Sequence, residues 1–296
     1  VNLLPGNKKP FKQAKMALKK IFAKIIYYSG LPFLIRELIQ KNYVTILVLH
    51  DPDAGIAERM ISCLKSRYNI IDLNLFLQAC DDGSNKKLPK KSLIITFDDG
   101  HIGNYKLLPI LKNTGIPVTI FLCAGIVNTN RHFWFKFSGL ESSSGFYKRL
   151  PDEKRLSSLS ESGFYQDKEY ETPQALDKNQ INEMRRYVNF QSHTIFHPCL
   201  TQCNNDKSAI EINESKKILE SELLLKINSI AYPNGDYSER EKNFARKAGY
   251  SCALTIDFGY NTIHSDLYKL RRICLNDKDD IEMTVVKACG IWGLFK

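Results

Sequence analysis

No apolar run in this chain of 296 residues approaches the roughly 20 residues that a bilayer-spanning helix requires, and nothing reads as a secretory leader. No period of about 20–50 residues recurs, which argues against a solenoid. The eight cysteines are scattered without a tight framework. Several sit inside apolar runs such as TIFLC and SCALT, where a small buried thiol is the ordinary reading. Reduced cysteines in a reducing compartment are therefore expected. Carboxylates are the scarcer charge: 32 Asp and Glu face 42 Lys and Arg, a net +10. That balance favours anionic partners such as phosphate groups, nucleotide sugars, membrane headgroups or nucleic acid, without choosing among them. No recognition motif accompanies it, so no nucleic-acid partner is expected.

With 43% apolar and 25% charged residues the chain can bury a core, and its length suits one large α/β domain or two small ones. Residues 7–28 read as an amphipathic helix. Phe11, Ala14, Leu18, Ile21, Phe22 and Ile25 fall at helical spacing, while Lys12, Lys15, Lys19, Lys20 and Lys24 supply cations. Two readings stay open: a helix lying on an anionic membrane, or one packed on the domain with a solvated basic face. Residues 1–43 form this basic helical segment, and 44–296 the main domain.

Strands are expected at 44–50, 92–98, 117–123, 188–193, 228–233, 251–255 and 269–275, with helical stretches at 104–113, 206–226 and 238–248. The alternation points to parallel α/β organisation, a barrel or a doubly wound sheet, and seven strands favour barrel-like closure. Within 206–226, Ile210, Ile218 and Leu219 are expected to face the core, with Glu and Lys outward. The stretch 128–177 breaks the rhythm and reads as a long, partly helical, surface-exposed insertion.

The strand in SLIITFDDGH (92–101) ends on Asp98 and Asp99, adjacent like charges that cost stability unless something uses them. QSHTIFHP supplies His193 and His197. A helical turn there would put both imidazoles on one face, able to bind one ion; otherwise they are unrelated polar residues at a strand end. TFDDG, SHTIFHP and AYPNGDY, in that order, resemble the first three motifs of the NodB-like polysaccharide deacetylases, carbohydrate esterase family four, over roughly residues 44–290. The resemblance implies a distorted (β/α) barrel. It implies one divalent ion, zinc first and cobalt or nickel next, held by Asp99, His193 and His197, with Asp98 as catalytic base. The implied substrate is an N-acetylated amino sugar in a polysaccharide, a lipid-linked glycan or an activated sugar, losing its acetyl group by hydrolysis. The Asn234 backbone N–H would face the oxyanion, with Tyr232 and Pro233 binding substrate or supporting the site. Gly100 lets the chain leave the site sharply.

The sequence departs from that pattern in several places. The usual C-terminal His is missing from LYKLRRICLND, and His50 in ILVLHDPD is assigned as general acid instead, against a capping role at a strand end. Ala231 stands where the family usually has an Arg that orients the base. Arg271 or Arg272 could replace it, and alternation along a strand puts only one inward; the reading leans to Arg272. Asp257 and Phe258 match the fourth motif too loosely to carry a role. Trp134 in HFWFKF is a candidate for stacking on a sugar, against the usual core role of an aromatic triplet. Cys199 and Cys203 lack a second paired set for a zinc knuckle, and His101, His132 and His264 are expected to be surface or hydrogen-bonded residues. These departures keep a catalytically inactive glycan-binding protein of the same fold as the alternative. The expected location is the bacterial cytoplasm or the cytoplasmic face of the inner membrane, or the periplasm or exterior if the native N-terminus is missing.

Overall fold

The computed structural model describes residues 9–137 and 144–295. Its strands are β1 (Val44–Leu49), β2 (Asn69–Ile70), β3 (Ser92–Phe97), β4 (Val118–Leu122), β5 (Val188–Ser192), β6 (Ser229–Ala231), β7 (Cys252–Leu254) and β8 (Ile273–Cys274). β1, β3 and β4 are buried along their whole length, as expected of apolar, β-branched runs covered on both faces. All ladders are parallel, in the order β7-β6-β5-β4-β3-β1-β8, with β2 beside β3. The two ends of this curled sheet meet at a single point. Leu270, just before β8, accepts from Thr255 N (2.9 Å) and donates to Ala253 O (3.0 Å). The result is a distorted (β/α) barrel with one weak seam.

Among the described residues, eleven helices surround it: α1 (Lys9–Tyr28), α2 (Leu31–Leu38), α3 (Ala54–Lys65), α4 (Leu73–Asp81), α5 (Leu108–Thr114), α6 (Ser144–Tyr147), α7 (Asp152–Glu161), α8 (Lys178–Met184), α9 (Asn205–Glu222), α10 (Glu239–Lys247) and α11 (Ile281–Ala288). Period-two alternation divides the apolar residues between two layers. Ile46, Ile94, Phe121, Ala231 and Leu254 share the barrel interior, whereas Leu47, Leu49, Ile95, Phe97 and Leu122 belong to the larger core that includes helix residues such as Met60, Leu64, Leu111 and Ile212.

Three expectations need correcting. α9 turns Ile212 and Leu219 inward, while Ile210 is exposed and Glu211 is wholly buried. The insertion is less superficial than its polarity suggested: Trp134, Leu159 and Phe164 form a small core of their own with Cys199. α3, α4 and β2 had no counterpart in the sequence reading, because short runs flanked by polar residues give a weak periodic signal. The cysteines form no disulfide. Among the described residues, no helix is long and apolar enough to cross a membrane.

α1 ends at a turn where Gly30 is left-handed (φ 78°), and Pro32 opens α2. Ala23 and Ile26 of α1 are buried, and Ile26 clusters with Val286, Cys289 and Ile291 on and beyond α11. Residues 7 and 8, and the side chains of Phe11, Lys12, Ala14 and Lys15, lie outside the described residues. The N-terminal segment is tied to the barrel by Gln40. Its amide donates to Thr45 Oγ1 (2.7 Å) and Ala288 O (2.8 Å), and its carbonyl accepts from Tyr68 OH (3.0 Å). Gln40→Leu leaves these buried groups unsatisfied, so urea unfolding should show a loss of about 1–3 kcal/mol.

Candidate active site

The C-terminal ends of β3, β5 and β6 each break into an abrupt turn. Asp99 (φ 74°) follows β3, Thr194 (φ 67°) and His197 (φ 55°) follow β5, and Asn234 (φ 57°) follows β6. Left-handed non-glycine residues are uncommon and cost on the order of 1 kcal/mol or more each, yet four gather at one end of the barrel. Gly100 (φ 73°) completes the first turn, and a Cβ there would lie 2.6 Å from Leu122 Cδ2. The imidazoles of SHTIFHP meet through such a turn and not through a helix, with ring centroids 4.9 Å apart. Buried Glu211 of α9 holds that turn, accepting from Ile195 N (2.8 Å) and Phe196 N (3.0 Å).

Alternation in β3 sends Thr96 and Asp98 into the barrel. Arg272 grips Asp98 with two parallel bonds, Nη1 to Oδ1 (2.7 Å) and Nη2 to Oδ2 (2.8 Å). Its Nε donates to Thr255 O (2.8 Å). Burial raises the Asp98 pKa, but Arg272 and His193 outweigh it and hold the carboxyl below its ordinary range. Arg272 is wholly buried whereas Arg271 is exposed, which fills the gap left by Ala231.

Asp99 turns the other way. Its Oδ1 lies 3.4 Å from His197 Nε2 and 3.5 Å from His193 Nε2, and has no hydrogen-bond partner although buried. Its Oδ2 sits 3.0 Å from His101 Nε2. Lys136 Nζ, a donor only, lies 3.0 Å from His101 Nδ1; that nitrogen must accept, so Nε2 carries the proton toward Asp99. His193 Nδ1 lies 2.8 Å from the Ala231 carbonyl, which can only accept, so Nδ1 carries a proton and Nε2 is the nitrogen that faces Asp99. Burial lowers the His197 pKa to about 3. Burial also works to raise Asp99, but His101, His197 and His193 together hold it well below the carboxylate range. Two imidazole nitrogens and an orphaned carboxylate oxygen, all within 4.8 Å of one another, fit the donor set of a divalent cation.

A cleft of about 370 Å³ opens over this cluster, with His50, Phe135, Lys148, Asn234 and Ile256 around it. The His50 backbone is fixed by Asp277 Oδ1 (3.0 Å) and Asn104 Nδ2 (2.7 Å), while the residue itself is exposed. Trp134 does not present a ring to this cleft. It is 2% exposed, sits under the Arg155 guanidinium and donates its indole N–H to His197 O (2.9 Å), so it braces the turn. Tyr232 and Pro233 are also buried and lie behind Asn234. His101, Lys136, Lys148, Phe135 and Glu211 reach the site although the motifs did not mark them. Only His101, adjacent to TFDDG, carried a local signal.

Residues 85–253 match the sequence model of the polysaccharide deacetylase family. YxkH of Bacillus subtilis (strain 168), a polysaccharide deacetylase homologue, is 25% identical over 191 residues, 64% of this chain. The chain spans about half (53%) of that relative's length. Among solved structures, the Streptococcus pyogenes deacetylase PplD in complex with acetate aligns with a TM-score of 0.61 at 20% identity, over 83% of this chain and 98% of that one. IcaB from Ammonifex degensii gives 0.60 at 19%, over 84% and 98%. These two likenesses show the barrel fold.

The buried imidazole has a measurable consequence. An unfolded chain protonates His197 near its ordinary 6.5, whereas the folded, metal-free protein refuses that proton until about pH 3. Stability should therefore fall from about pH 6.5 downward, by up to about 1.4 kcal/mol per pH unit. Asp98 and Asp99, whose folded pKa values are lowered, add a loss of the same sign below their ordinary 3.8. Urea titrations with chelator present should show this slope, and His197→Gln should flatten it between pH 6.5 and 4.

Proposed function

The chain belongs to the polysaccharide deacetylase family, and from that premise we propose that it is a metal-dependent hydrolase removing the acetyl group from an N-acetylated amino sugar of a glycan. The observation that carries this reading is the division of labour between adjacent carboxylates: Arg272 claims both oxygens of Asp98, while Asp99 leaves one oxygen facing two imidazole nitrogens.

Asp99, His193 and His197 would hold the cation, zinc suiting their nitrogen-rich set best, with cobalt and nickel also compatible. When bound, such a cation polarises an acetamide carbonyl and lowers the pKa of water. Asp98 takes the proton of the attacking water. Because Arg272 makes Asp98 a weak base, that transfer needs an acidified water, and the cation and the ion pair are chemically matched. As water adds to the carbonyl carbon, negative charge collects on the carbonyl oxygen. The Asn234 peptide N–H answers it, presented by a left-handed turn beside the cleft. His50, at the exposed rim, gives a proton to the nitrogen as the C–N bond breaks, releasing a neutral amine and acetate. The inactive glycan-binding alternative rested on the missing Arg at position 231 and the missing C-terminal His; Arg272 supplies the first group from across the barrel, and His50 at the cleft stands in for the second.

Acetate release from N-acetylglucosamine oligomers tests the assignment. Chelation should abolish it and added zinc restore it. Asp98→Asn should lower kcat by about a thousandfold or more, and His50→Gln by about a hundredfold. Turnover that survives both chelation and Asp98→Asn overturns the reading.

A further inference from the structure

α1 is apolar on two faces. The inward face, Ala23 and Ile26, is used against the barrel. The outward face carries Leu18, Ile21 and Ile25 at intervals of three and four residues, 69%, 57% and 62% exposed. Beyond the turn at Gly30, α2 exposes Phe33, Leu34 and Leu38 as well. A helix that only packs on its own domain turns polar residues to water, and soluble monomers rarely expose a continuous apolar surface of this kind. Helical geometry puts Lys24 along one edge of the α1 stripe and Lys19 along the other, while Lys20 lies farther round toward Asp280 of α11. No carboxylate occurs before Glu37, whereas seven lysines and Arg36 do.

We propose that the outer face of α1 and α2 is a docking surface for a bilayer bearing anionic headgroups. The apolar stripe enters the acyl boundary, and the flanking ammonium groups lie at headgroup level. Charge decides against a second copy of the chain: pairing this face with itself would set lysines against lysines, with no acid between residues 1 and 36 to neutralise them. The direction of α1 also relates the patch to the cleft. Lys20 faces Asp280 at the start of α11 (3.9 Å), and Ile26 packs near its end, so the two helices run the same way. α11 begins seven residues after Cys274, which lines the cleft. The N-terminal end of α1 therefore lies on the side of the barrel where the cleft opens, and docking would bring that opening close to the lipid surface.

Cosedimentation of the full chain with vesicles tests this without reference to activity. Binding is expected to vesicles of phosphatidylcholine mixed with phosphatidylglycerol, and to be about tenfold weaker or more with phosphatidylcholine alone or at high salt. Ile21→Asp with Ile25→Asp, and separately Lys19→Gln with Lys24→Gln, should each weaken binding about tenfold or more. Because these side chains are exposed, the thermal midpoint should not move, which separates lost docking from lost folding. Absence of binding to the mixed vesicles overturns the proposal, as does binding unaffected by either pair of substitutions. So does a dimer in sedimentation velocity that the isoleucine pair dissolves while vesicle binding is nil.

Discussion

Two carboxylates on consecutive residues are withdrawn from water at the end of β3, and each must find its own neutralising partner. Burying even one unpaired carboxylate costs several kcal/mol. An extended backbone sends neighbouring side chains to opposite faces, but here the second residue has left the strand. The left-handed conformation at Asp99 sends its side chain toward the β5 imidazoles, while Asp98 points into the barrel. One carboxylate is met by a fixed cation of the protein, Arg272. The other is only partly met, by His101 on one oxygen, and its second oxygen faces the His193 and His197 nitrogens without a hydrogen bond.

That arrangement explains where the fold invests its supporting contacts. The strained turn after β5 is braced from behind by several distant groups. Glu211 holds the peptide groups of residues 195 and 196, Trp134 holds the His197 carbonyl, and Ala124 N donates to Thr194 O (2.9 Å). Two of these braces come from segments that polarity alone would place at the surface, α9 and the insertion. Lys136 of the insertion, through His101, fixes the orientation of Asp99 as well. The insertion is thus part of the apparatus that holds the turns in place, and is more than a covering loop.

The barrel strands were legible because their burial is total. VTILVL, SLIITF and VTIFL leave no polar alternative, whereas alternation allowed only one of Arg271 and Arg272 to face inward, and the structure buries Arg272. The carboxylates and imidazoles were legible because TFDDG and SHTIFHP keep them at strand ends. Legibility failed where a residue's environment comes from a distant segment. Glu211 looks like a solvated helix position until the β5 turn offers it two peptide N–H groups. Trp134 looks like a sugar platform until Arg155 and the His197 carbonyl cover it. His101 reads as incidental without Lys136, 35 residues away.

Arg272 shows why motif position and physical role can separate. The position expected to hold a cation in AYPNG is Ala231, whose carbonyl instead fixes the His193 tautomer. The charge is delivered from a residue 174 positions beyond Asp98 in sequence, across the barrel interior and over the face of Phe121 (5.8 Å). The pair sets a guanidinium against both oxygens of Asp98, and either strand end can reach that point because both border the same interior. Delivery from the β8 side makes the site depend on the seam, since Arg272 is anchored to Thr255 O and its own N–H to Asp257 O (3.0 Å). The weakest junction of the barrel and the orientation of Asp98 are therefore one structural problem: a chain that failed to close between Leu254 and Leu270 would leave Asp98 buried and unpaired, so charge pairing at the site favours closure of the fold.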